Sequence, residues 1–142
     1  MQLWLIYALL SAIAAAFVAI FGKIGLQGID SGAATAIRAV IMALFLVGAA
    51  FFQGKGQQIQ NVLNEKSALL WIVLSGIAGA LSWLFYFLAL KYGKVSQVAP
   101  VDKLSVVIAS VLAVMFLQEK ISLTAFGGIL MITIGVIMAA LG

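Results

Sequence analysis

Long apolar runs broken by short polar connections set the pattern of this chain: Leu3 to Phe21, Ala33 to Phe52, Ala68 to Leu90, Gln97 to Leu117 and Leu123 to Leu141. Each approaches the ~20 residues that a helix needs to cross a hydrocarbon core about 30 Å thick. The pattern predicts an all-α membrane protein, a bundle of five transmembrane helices forming a single domain over residues 1–142. An odd number of spans puts the two termini on opposite sides of the membrane. In the first connection, GKIGLQGIDSG, the glycines interrupt the helix, and Asp30 or Ser31 can cap the second span by accepting from its free N–H groups. The longest polar connection is QGKGQQIQNVLNEKS. Its Ile59, Val62 and Leu63 fall at i, i+3 and i+4, which predicts a short amphipathic helix lying on the membrane surface.

Composition agrees with the pattern. The chain is 65% hydrophobic and 8% charged, far from the soluble average of about half apolar and a quarter charged. It contains no cysteine and no histidine. Disulfides, thiolate metal sites and Cys or His nucleophiles are thereby excluded, and neither a metal nor a cofactor is expected. The net charge of +4 comes from basic residues scattered at both ends of the spans, so no nucleic-acid partner is expected. The first span lacks the positive n-region of a cleavable signal and is expected to stay as a helix, with Trp4 and Tyr7 as its aromatic belt.

The polar residues inside the spans carry the candidate chemistry. A fourth helix begun at Leu104 would reach only about 21 Å by Leu117, whereas one begun near Gln97 gives roughly 31 Å. Asp102 and Lys103 are then drawn more than a turn into the bilayer, and Pro100 falls in the first turn, where its missing N–H costs nothing. Ionisable groups at such depth usually face protein or water. Arg38 lies about one and a half turns inside the second span; snorkelling to the headgroups and pairing with a carboxylate are both open to it. In the third span Ser75, Gly79, Ser82 and Tyr86 fall at i, i+4, i+7 and i+11, with Trp83 adjoining. This face serves close helix packing through Ser75 and Gly79, a cavity wall with Trp83 and Tyr86 stacking on a ligand, or both at different depths. Gly128 and Gly135, seven apart, mark a packing face on the fifth span.

Alternating sides span by span places Lys23, Asp30, Arg38, Lys91, Lys94, Asp102 and Lys103 on one membrane face. Clear loop lysines balance: Lys23, Lys91 and Lys94 against Lys55, Lys66 and Lys120. Orientation is normally set by a bias in this count. Its near absence predicts insertion in both orientations and antiparallel pairing of the chain with itself.

The segments YFLALKYGKVSQVAPVDKLSVVIASVLAVMFLQEKISLTAFGGILMITIGVIM and IGLQGIDSGAATAIRAV resemble an EamA-type domain of the drug/metabolite transporter superfamily. The likeness rests on Arg38 early in the second helix, Ala99 to Val101, Glu119 at a helix end, and the glycines of the last helix. Most members of that family carry two such domains as inverted repeats. This chain has one, so the resemblance implies a homodimer that supplies the missing half. It also implies secondary transport or export of a small-molecule substrate by alternating access across the cytoplasmic membrane of a prokaryote. The central cavity would lie between the halves among membrane lipids, with Arg38, Asp102, Lys103, Lys23, Trp83, Tyr86 and Ser82 at the binding and gating positions and Gly79, Gly128 and Gly135 packing helices. Asp102 is expected to pair with Lys103, Arg38 or Lys23 when its face is closed, and protonation or substrate binding to weaken that pairing. Unlike the small multidrug exporters of the superfamily, the first span has no acidic residue, which favours an anionic, zwitterionic or neutral cargo over a cation. A lipid-carrier flippase or an accessory membrane subunit is the alternative. An intramembrane enzyme is disfavoured by the lack of His, Cys, HExxH or a GxGD-type aspartate pair.

Overall fold

The computed structural model describes residues 3–142, and among these residues it is helical throughout, with no strand. The helices are α1 (Leu3–Gly25), α2 (Ser31–Phe52), α3 (Gly56–Asn64), α4 (Lys66–Tyr92), α5 (Val95–Asp102), α6 (Leu104–Leu117) and α7 (Leu123–Leu141). Five segments are long and apolar enough to cross a membrane: α1, α2, α4, Val95–Leu117 and α7. Most outrun the apolar runs by a few residues, because Lys23, Lys66 and Lys91 continue the helices. Their stems can lie along apolar surface while the ammonium groups reach water.

Local chemistry fixes several boundaries. Asp30 is the N-cap of α2, accepting from the Ala33 N–H at 2.9 Å, and Ser122 caps α7 by accepting from Ala125 at 3.2 Å. After α2, Gly54 takes φ +69°, a backbone conformation that side chains disfavour. It lets the Gly54 N–H reach the Phe51 carbonyl at 2.9 Å and the Lys55 N–H reach Ala50 at 3.0 Å, a Schellman close. The amphipathic connection is helical as its pattern predicts, over Gly56–Asn64.

The fourth span departs from expectation. It begins at Val95, so Pro100 lies inside the helix and not in its first turn, and regular helix is interrupted at Lys103. Pro100 has no N–H to offer the Ser96 carbonyl. Beyond it the chain tightens: the Lys103 N–H bonds the Pro100 carbonyl at 2.9 Å, and Val106 bonds Lys103 at 3.0 Å, both three residues back. Asp102 and Lys103 still lie about 12 Å along the span.

The chain divides into two compact units, one made of α1 up to Lys23 with Tyr92–Gly142, the other of Ile24–Lys91. In the first, α7 packs against both α5 and α6. Buried side chains are few: Ala19, Leu26, Ser31, Thr35, Phe87, Leu90 and Val136. Most belong to the ends of α1 and α4 and the start of α2. Along the rest of the spans large apolar side chains are exposed. That suits a surface facing lipid or other helices, since lipid tails are themselves as apolar as these side chains.

Candidate functional site

Within the Ile24–Lys91 unit, α2 and α4 present small residues to a common groove. On α2 Gly32, Ala36, Ala39 and Ala43 recur at i, i+4, i+7 and i+11; on α4 Gly76, Gly79 and Ala80 do so at i, i+3 and i+4, with the large Trp83 following at i+7. Side chains this small leave space between the helices, and the groove encloses about 640 Å³. That is the size of a small-molecule site. Met42, Leu46 and Leu84 complete its apolar wall.

Arg38 crosses from α2 to α4. Its guanidinium carbon lies 3.4 Å from the centroid of the Trp83 ring and 4.6 Å from that of Phe87. The two rings stack on each other at 5.7 Å and 28°, and Tyr86 meets each of them edge-on, at 6.0 Å and 5.9 Å. Phe87 is buried, which anchors the platform. A desolvated cation–π contact contributes up to about 2 kcal/mol. Against it, Arg38 Nε is enclosed with no hydrogen-bond partner among the described residues, at a cost of about 1–3 kcal/mol. The site therefore holds a positioned cation with a donor still to be satisfied.

The sequence left Arg38 to snorkelling or a carboxylate; the structure gives it an aromatic platform. Gly79 and Trp83 stand on the groove wall, but the wall is turned about one residue from the predicted face. Tyr86 belongs to the aromatic cluster, and Ser82 is exposed and outside the groove lining. A Cβ at Gly79, Gly128 or Gly135 would meet nothing within 4 Å among the described residues, so none of the three makes a close helix contact that only glycine permits there. Phe87 and the small stripe of α2 were missed, although their signals were present: an aromatic pair four apart, and small residues recurring on one helical face.

Three other charged residues expected at the site, Asp102, Lys103 and Lys23, have local partners. Asp102 pairs with its neighbour Lys103, Oδ2 to Nζ at 3.1 Å. Lys23 donates from Nζ to the Gly93 carbonyl at 2.8 Å, in the turn ahead of α5. A charged donor on a part-buried carbonyl stabilises by about 1.5–3 kcal/mol. Lys23→Met is accordingly expected to lower the thermal unfolding midpoint in detergent, followed by helical circular dichroism; an unchanged midpoint would show the contact to be idle. A second depression of about 620 Å³ lies between α6 and α7 near Glu119 and Lys120. Its hydroxyls are engaged, Ser110 with the Val106 carbonyl at 2.8 Å and Ser122 in capping α7.

Comparison with known proteins gives this geometry a context. The model of the EamA-like transporter family matches residues 2–141. An "Uncharacterized transporter in cobO 3'region" of Sinorhizobium sp is 39% identical over 139 residues, covering 98% of this chain and 97% of that protein. An uncharacterised protein of Methanocaldococcus jannaschii is 28% identical over 80 residues, 56% of this chain and 58% of its own length. No solved structure matches the chain. With the family model spanning nearly every residue and five helices long and apolar enough to cross a bilayer, the chain is a multi-pass membrane transporter and belongs to the EamA-like transporter family.

Proposed function

We propose that the chain is one repeat of a secondary transporter that two antiparallel copies complete, moving a small metabolite across the cytoplasmic membrane of a prokaryote by alternating access. It transforms nothing chemically. The observation that carries this reading is the α2–α4 groove: a space of about 640 Å³ walled by small residues, with an arginine held on Trp83 and Phe87 at its side. An ionisable group inside a membrane segment is costly to keep and so points to function. Inverted repeats place a substrate site at the midplane between the halves, and rocking of one half against the other exposes it to each side in turn. The lysine balance between the two faces supports insertion in both orientations, which supplies the antiparallel pair.

In this reading Trp83 and Arg38 contact the cargo, Tyr86 and Phe87 hold Trp83 in place, and the Asp102–Lys103 pair at the helix interruption serves as the gate. A substrate shifts the equilibrium only by what it binds better in one state than in the other. The test is flux into proteoliposomes of a charge-graded panel: benzoate, phenylalanine, uridine and tetraphenylphosphonium. Protein-dependent flux of at least one compound is expected, and the organic cation is expected to be excluded. Empty-liposome rates for the whole panel would contradict the proposal.

A further inference from the structure

We infer that the α2–α4 groove takes a carboxylate monoanion with an apolar body, and that Arg38 selects it; this rests on the transport reading above and narrows its cargo. Charge matching carries the argument. Among the described residues lining the groove, Arg38 is the single charged side chain, and none is acidic. The Thr35 hydroxyl gives its proton to the Ser31 carbonyl at 2.7 Å, so toward a ligand it can only accept. A compound bearing an ammonium would meet Ala36, Ala39, Ala80 and at most one neutral hydroxyl, with no counter-charge and a fixed cation nearby, and burying an unpaired charge is strongly unfavourable. A dianion would leave one negative charge unmatched in the same surroundings. A neutral compound can accept a hydrogen bond from the guanidinium but gains neither the charge pairing nor the two-point match of a carboxylate.

A carboxylate fits what is left. The guanidinium has one face on the Trp83 ring at 3.4 Å, so its N–H groups point outward from its edges. Two parallel N–H···O bonds from Nε and Nη match a carboxylate in that plane. Nε is enclosed and lacks an acceptor. Rotation of the side chain toward the groove would expose Nε and Nη together, and the anion supplies the acceptor that makes this rotation favourable. Met42, Leu46 and Leu84 then receive the apolar body. A lysine would not substitute, because an ammonium neither stacks flat on indole nor offers a paired edge.

The experiment titrates the full chain in phosphatidylcholine nanodiscs with benzoate, benzamide and phenylalanine by calorimetry. Benzoate is expected to bind at least tenfold more tightly than either of the others. Arg38→Gln should collapse that preference to less than threefold and Arg38→Lys should keep only part of it, with the helical circular dichroism of both variants unchanged. No benzoate binding, equal binding of benzamide or phenylalanine, or an undiminished preference in Arg38→Gln would overturn the inference. Loss of benzoate binding on adding phosphatidylglycerol to the nanodiscs, in the wild type but not in Arg38→Gln, would give the site to a lipid headgroup and also overturn it. The two readings fail differently: a groove preferring phenylalanine leaves transport standing, whereas a panel without flux refutes transport even where benzoate binds.

Discussion

Arg38→Gln is expected to reduce flux of the transported compound about a hundredfold, close to 2.8 kcal/mol at 1.4 kcal/mol per tenfold, within the range for truncating one partner of a buried charge pair. The same change should scarcely alter stability. It removes a cation–π contact with Trp83 and Phe87, but it also removes a donor that has no acceptor, and these terms oppose each other at similar size. Loss of flux with an unchanged thermal midpoint would separate a role in cargo binding from a role in folding. Normal flux in a well-folded Arg38→Gln protein would mean that the arginine only anchors α2 to α4.

The second large effect is expected at the interruption of the fourth span. Asp102→Asn leaves the Lys103 ammonium without the carboxylate that now lies 3.1 Å away. On a water-exposed surface such a pair is worth about 0–1 kcal/mol. Within a membrane segment an uncompensated lysine costs about 2.5–3.5 kcal/mol, enough to bias a two-state gate by roughly a hundredfold. Transport by Asp102→Asn should therefore fall to a few per cent or less of wild type, while the amount of protein inserted in the membrane stays the same. Reversing the pair, with Asp102→Lys and Lys103→Asp together, should restore part of the flux because attraction across the break returns. Should the single variant transport normally, Asp102 and Lys103 would be headgroup contacts and nothing more.

The spans were legible because bilayer crossing needs only length and apolar composition, both of which the sequence carries openly. The same holds for Asp30 at the start of α2 and for the helix over Gly56–Asn64, since capping and a three-four apolar spacing act within one or two turns. What was not legible depends on pairs of helices. The register of α4 against α2 decides that Gly76 and Ala80 face the groove beside Gly79 while Ser82 does not, and no local pattern fixes that rotation. Arg38 was read for headgroups or a carboxylate because charge is visible in a sequence. Its aromatic platform required Trp83 and Phe87 to meet it across space. Lys23 likewise found a backbone carbonyl, a partner that no side-chain pattern announces. The interruption at Lys103 is a subtler case, since Pro100 was seen but placed in a first turn that in fact lies five residues earlier.

Antiparallel pairing is the claim on which alternating access by a single repeat depends, and the absence of cysteine makes it directly measurable. Gln58→Cys puts one thiol on α3, outside the spans. Intact cells are treated with a membrane-impermeant maleimide, and the remaining thiols are then counted after permeabilisation. Two populations of comparable size are expected, one labelled from outside and one protected until the membrane is opened. Labelling that is wholly external or wholly protected would place every copy in one orientation and contradict the antiparallel transporter.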